Sequence, residues 1–205
     1  MKPNEKSRGG RPWSFDRDEA VETAMRLFWR SGYEGVSIGD LTKEIGVAPP
    51  SLYAAFGSKA GLYREALDRY EEKFGSLDLC SVEKAPSLAE AVRTLLKGAV
   101  RAVTRPDRDG GCMISSGMIA CHPDHAALAR DAAARRDAMR ERIAMALAPF
   151  ATKGEARRLG RYLSAVLQGI SIQARDGAAP IELQEIVEDV VSGIEARLHR
   201  DGRRR

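Results

Sequence analysis

Cysteine is scarce in this chain: three in 205 residues, Cys80, Cys112 and Cys121, with no CxxC spacing. An odd count without paired spacing argues against a disulfide framework and for free thiols in a reducing compartment. Long apolar runs are missing too. No stretch reaches the roughly 18 uninterrupted apolar residues of a membrane-spanning helix, and the polar, charged N-terminus has no secretory h-region. A cytoplasmic location is the resulting expectation. Common enzyme signatures are absent: no Walker A loop, no HExxH, no GxSxG and no dinucleotide glycine fingerprint. Cys112 or Cys121 could be drawn with His122 as nucleophile and base, but adjacency in sequence is not geometry. The chain is not expected to be an enzyme. No stretch alternates as a strand does, and no repeat appears.

What is present is ordinary in bulk and uneven in distribution. Hydrophobic residues are 43% and charged residues 30%, enough to bury a core. The net charge of +4 is modest. Yet Lys2, Lys6, Arg8 and Arg11 outnumber Glu5 at the start, and Arg203, Arg204 and Arg205 close the chain. A basic arm fits attraction to phosphate; a solvated terminus explains the same residues equally well.

Nearly every periodic segment has helical spacing, so the chain is expected to be all-α. Asp16 with Glu19 is a capping-box pattern, Phe15 is placed to begin a staple, and Gly32 stops the first helix. Ser37 caps a second helix with Ile38, Leu41 and Ile45 on one face. Pro49 and Pro50 sit where the first turn of a third tolerates missing N–H groups. Ser58 caps a longer fourth helix through Phe74. The pattern lapses from about Gly75 to Pro86, where Ser87 opens a fifth. Asp107 to Gly111 is a loop, Cys112 to Cys121 a short apolar element, and Pro123 opens a long helix to about Phe150. Glu155 to Asp176 and Pro180 to Leu198 complete the set. The lapse suggests two domains, 15–75 and 76–205. A head of about 45 core residues is marginal alone, so packing on the fourth helix should matter.

The segment Ser37 to Phe56 carries the most information. It is two short helices broken at Gly46, and the second is too short and small-sided for an ordinary core helix. Small side chains suit a helix that lies in a DNA groove. Leu27-Phe28-Trp29-Arg30-Ser31-Gly32-Tyr33-Glu34-Gly35, then Ser37 to Gly46, then Ser51-Leu52-Tyr53-Ala54-Ala55-Phe56-Gly57-Ser58-Lys59 resemble the TetR family of bacterial transcriptional regulators. Gly111 to Ile114 and Gln168 to Ala178 further resemble a subgroup that includes a copper-responsive repressor. The resemblance implies a three-helix helix-turn-helix head and a C-terminal body that dimerises and holds a ligand pocket. It also implies a repressor more readily than an activator, bound to a palindromic operator as a homodimer and released by an effector.

In such a motif the second helix enters the major groove while the first crosses the backbone. Ala48, Pro49, Pro50, Ser51 and Ala54 are then the expected base-facing residues, reading thymine methyls and shape more than hydrogen bonds. Ser37, Lys43, Tyr53 and Lys59 are expected at phosphates. Arg8 and Arg11 are placed to reach a minor groove. Leu163, Leu167, Ile170, Val187, Val191 and Ile194 form stripes wide enough for a dimer interface. Phe74, Leu95, Val103, Met118, Met139, Tyr162 and Val166 are the expected pocket for a small organic effector. Cys112, Met118, Cys121, His122 and His125 form a soft donor set that would suit copper instead, although Cys and Met are also ordinary apolar fillers. No resident cofactor is expected. A dimeric helical interaction module without DNA binding is the competing class.

Overall fold

In a computed structural model, residues 15–75 and 77–202 are described, the side chains of 200–202 excepted. All regular structure among them is helical. The first four helices are α1 (Arg17–Ser31), α2 (Ile38–Ile45), α3 (Pro49–Phe56) and α4 (Lys59–Phe74). Local chemistry sets their ends. The Asp16 carboxylate accepts from the Asp18 and Glu19 amides, satisfying donors that a helix start leaves open. Ser37 and Asp40 form a capping box on α2, and the Ser58 hydroxyl accepts from the Gly61 amide on α4.

The body follows as α5 (Leu79–Glu83), α6 (Leu88–Val103), α7 (Met113–Ser116), α8 (Ala126–Ala146), α9 (Lys153–Arg175) and α10 (Pro180–Gly202). The apparent lapse after Gly75 holds α5, which Asp78 caps and which buries Val82. Only four residues of the Cys112–Cys121 segment are helical. The long helix expected from Pro123 to Phe150 is divided: Pro123–His125 and Ala148–Phe150 are single 3₁₀ turns flanking α8.

Two cores result. The head core gathers α1 to α4 around Phe28, Trp29, Tyr33, Tyr63 and Tyr70, and continues into Met113, Ile114, Met118, Leu128 and Ala132 of the body. The second core is aliphatic, built by α5, α6, the end of α8, α9 and α10. Here the expected dimer stripe is corrected. Leu163, Ile170, Val187, Val191 and Ile194 are buried inside the protomer, and Leu167 is half-buried against the same core. α10 packs on α6, and its Val187, Val190 and Val191 lie in the aliphatic core the two helices share. The outward faces of α9 and α10 instead carry Tyr162, Ala165, Ile172, Ile181 and Leu198, with Ile181 63% exposed.

Candidate functional site

α2 and α3 meet at a turn that suits glycine. Gly46 lies at φ 78°, ψ 32°, a left-handed conformation that strains other residues. Its N–H and that of Val47 both donate to the Thr42 carbonyl at 3.0 Å. Thr42 is itself buried, and its hydroxyl donates to the Ile38 carbonyl at 2.9 Å. Leu41 and Leu52, fully buried, pin the two helices to the head core. The angle between them is thereby fixed.

α3 buries Leu52 and Phe56 and turns Ala48, Pro49, Pro50, Tyr53 and Ala54 outward, with Ser51 half-exposed. Pro49 and Pro50 occupy its first two positions and bring no N–H. The next two amides, of Ser51 and Leu52, turn back to the Ala48 carbonyl at 3.0 and 3.3 Å. A helix start usually leaves its first amides open to an anion. This one leaves none. α3 therefore offers a narrow tip of methyl and pyrrolidine surface with one hydroxyl, suited to entering a groove by shape rather than to holding a phosphate.

Polar groups surround that tip. Lys43 is exposed near the end of α2. Tyr53 is 45% exposed. Lys59, at the start of α4, lies with Nζ 4.2 Å from the centre of the Tyr33 ring; partial burial there lowers its pKa, opposed by Glu34 and Asp40. Ser37 donates its hydroxyl to Asp40 Oδ2 at 2.7 Å and accepts the Asp40 N–H at 3.0 Å. The hydroxyl's bond to Oδ2, with one from the Ser37 amide, holds the Asp40 carboxyl below the usual carboxylate range. The Ser37 hydroxyl is thus committed to the cap. Arg8 and Arg11 lie outside the described residues.

A second feature lies where head and body meet. A cavity of about 100 Å³ is lined by Trp29 of α1, Tyr70, Glu71 and Phe74 of α4, Val103, Met139 and Leu167 among others. Phe74, Val103 and Met139 were expected in a pocket; the other four positions need correcting. Leu95 is buried in the aliphatic core, and Val166 packs against it. Met118 belongs to the head core, and Tyr162 is 47% exposed on the outside of α9. Leu167 and Cys112, expected elsewhere, line the cavity. Sequence reasoning missed Trp29, Tyr70, Arg136, Ser164 and Gln168 as pocket residues; Trp29 and Gln168 stood in segments singled out for other reasons.

Three arginines stand at this cavity in different states. Arg135 reaches Asp68 at 2.6 Å, Asp131 at 3.5 Å, and Glu71. The Arg108 guanidinium lies 4.3 Å over the Phe74 ring and 3.6 Å from Asp107. Arg136 instead donates Nη1 to the Ile114 and Gly117 carbonyls at 2.9 and 2.8 Å, and burial pulls its pKa down. The Tyr70 phenol is pushed the other way, up, by burial first and then by Cys112 beside it.

The expected metal donors are not brought together. The Cys112 amide takes the Ser171 hydroxyl as acceptor at 2.8 Å, and Met118 and Cys121 pack on the head core. The His122 backbone N–H donates to Glu34 at 3.1 Å while its imidazole Nδ1 accepts the Asp124 N–H at 3.3 Å, and His125 Nε2 lies 3.8 Å from Glu34. Among the described residues no three His, Cys, Asp or Glu side chains are gathered to hold an ion. Nor is any helix among them long and apolar enough to cross a membrane.

Comparison with known proteins places this geometry. The model of bacterial regulatory proteins of the tetR family matches residues 20–66, from α1 to the middle of α4. The HTH-type transcriptional repressor ComR of Escherichia coli K12 is 36% identical over 194 residues, covering 88% of this chain and 89% of ComR. The repressor BdcR of the same organism is 32% identical over 170 residues, covering 82% and 83%. Among solved structures, a cysteine mutant of the regulator CifR complexed with 26-base-pair operator DNA superposes with a TM-score of 0.81 at 34% identity. That match covers 89% of this chain and 98% of CifR. AibR, crystallised with isovaleryl coenzyme A and operator DNA, shares the fold at 18% identity and a TM-score of 0.61.

Proposed function

The chain belongs to the TetR family of bacterial regulatory proteins, and from that premise we propose that it represses transcription by binding a palindromic operator through α3 and is released by an organic effector. The observation that carries the reading is the outward tip of α3. Ala48, Pro49, Pro50 and Ala54 face solvent, with Ser51 half-exposed beside them, on a helix held rigidly by the buried Leu52 and Phe56. Bases are read there by thymine-methyl contact and groove shape. Lys43, Tyr53 and Lys59 flank the tip and take phosphates; Ser37 positions α2, and Arg8 and Arg11 extend the basic footprint. Residues 15–75 are the DNA-binding unit and 76–205 the effector and dimerisation unit.

Homodimerisation uses the outward faces of α9 and α10, where Tyr162, Ile172 and Ile181 lie uncovered. Two-fold symmetry then sets two copies of α3 about one helical turn apart. The effector occupies the cavity at the head–body seam. α4 connects the two sites: its first turn abuts α3, and Tyr70, Glu71 and Phe74 near its end line the cavity. Sixteen residues make it a rod of about 24 Å. An effector that prefers one tilt of this rod weakens operator binding by its differential affinity for that state. Metal sensing is not proposed, because no donor set among the described residues supports it.

Footprinting on the DNA upstream of the protein's own gene tests the reading. The expected result is a protected, roughly palindromic site whose affinity falls steeply with salt, as counterion release requires. Protection indifferent to Tyr53→Phe, Lys59→Ala and salt together would overturn it.

A further inference from the structure

The seam cavity is more than an apolar hollow, and its unsatisfied donors indicate what fills it. The side chain of Trp29 is deeply buried, the residue being 3% exposed, and its indole N–H has no acceptor. The Ser164 hydroxyl is buried and likewise without a partner. Both residues line the cavity. A buried donor left unpaired is destabilising, so such groups in a native fold call for an explanation. Arg136 adds charge. Arg135 is answered by three carboxylates and Arg108 by Asp107, but among the described residues Arg136 forms no ion pair, only bonds to two neutral carbonyls.

The cavity thus presents a positive charge and two neutral donors, with Tyr70, Phe74 and Met139 supplying apolar walls. We infer that its ligand is a compact organic acid: a carboxylate facing Arg136, Trp29 and Ser164, on an aromatic or branched aliphatic body. Size sets the scale. A cavity of roughly 150 Å³ takes benzene, and this one is smaller, about 100 Å³, so a short branched aliphatic acid fills it and an aromatic acid fits only by widening it. A neutral or cationic ligand of equal shape would leave the Arg136 charge unanswered. This rests on the effector reading above and names the chemistry of that same site.

The test is calorimetric titration of the full-length protein with benzoate, cyclohexanecarboxylate and isovalerate, each against its neutral amide, and with benzylamine. At least one acid should bind below about 1 mM and about tenfold or more tighter than its amide, the ratio a charge-assisted hydrogen bond provides. In ¹⁵N-tryptophan-labelled protein on a Trp13→Phe background, the remaining indole N–H resonance should shift with the acid and not with the amide. Arg136→Gln should reduce the acid-to-amide ratio to about one. Because Arg136 also clamps the α7 turn, that variant can fail to fold; the wild-type ratio and the indole shift then decide. Amides or the amine binding as well as the acids, or no acid binding below about 1 mM, overturns the inference. Operator affinity measured on the same samples separates the two readings. Acid binding without operator binding removes the regulator and leaves the site; operator binding without acid binding does the reverse.

Discussion

The head and the body are stabilised by different materials. The head core is aromatic and locked edge-to-face: Phe28 on Tyr63 at 5.0 Å, Tyr33 on Tyr63 at 5.0 Å, Trp29 on Tyr70 at 4.8 Å between ring centres. The body core is Val, Leu, Ile and Ala, with no aromatic among its fully buried members. Aromatic pairs fix geometry through their quadrupoles, whereas aliphatic packing tolerates sliding and repacking. A rigid reading head on a more compliant body is what an effector-driven regulator needs. The cavity lies where the two meet, taking Trp29, Tyr70 and Phe74 from the stiff side and Val103, Met139 and Leu167 from the soft one.

The contrast can be broken most forcefully in the cores. Phe28→Ala should cost about 3–5 kcal/mol and Leu163→Ala about 2–5 kcal/mol, read by denaturant titration. Because the head core runs into Met113, Leu128 and Ala132, both variants should still unfold in one transition; separate transitions would dissolve the shared seam. Next in size is Arg135→Met. It strands Asp68 and Glu71 on α4, and hydrogen bonds to charged groups contribute about 1.5–3 kcal/mol. The expected result is a lower Tm with a weakened effect of ligand on operator affinity, measured by fluorescence anisotropy.

Smaller effects belong to the α3 surface. Lys59→Ala should weaken operator binding about tenfold and lower the salt slope by about one, with stability moved by less than about 0.5 kcal/mol. Smallest is Ser37→Ala, which removes the cap at a cost of about 1 kcal/mol. It also carries a pH signature. The folded Asp40 pKa lies below its ordinary value because Ser37 bonds to the ionised form. That contribution is present above the ordinary aspartate value and is lost as pH falls through the folded one. Thermal melts of Ser37→Ala should therefore lose less stability than wild type on acidification through that window.

The two regions also differed in how much could be read from residues alone. Asp16, Ser37, Gly46, Pro49 and Ser58 act on backbone groups within a few positions, so the bounds of α1 to α4 follow from local chemistry. α5 escaped because five residues, Leu79–Glu83, are too few to show a period. The stripe of Val187, Val191 and Ile194 announced burial correctly but not its place, which is the protomer's own aliphatic core. The cavity was hardest to foresee. Trp29, Arg136 and Ser164 come from α1, α8 and α9, and nothing in their spacing predicts that they line one space.

Operator binding by Ala54→Glu, set beside Ala134→Glu on the exposed side of α8, tests the central claim most directly. If the small side chains of α3 face the bases, a carboxylate at position 54 should reduce affinity more than about a hundredfold through like-charge repulsion and lost fit. The same change at position 134 should leave affinity unaltered, with both variants keeping the wild-type Tm. Equal affinity of the two folded variants would contradict the assignment of α3 as the reading helix.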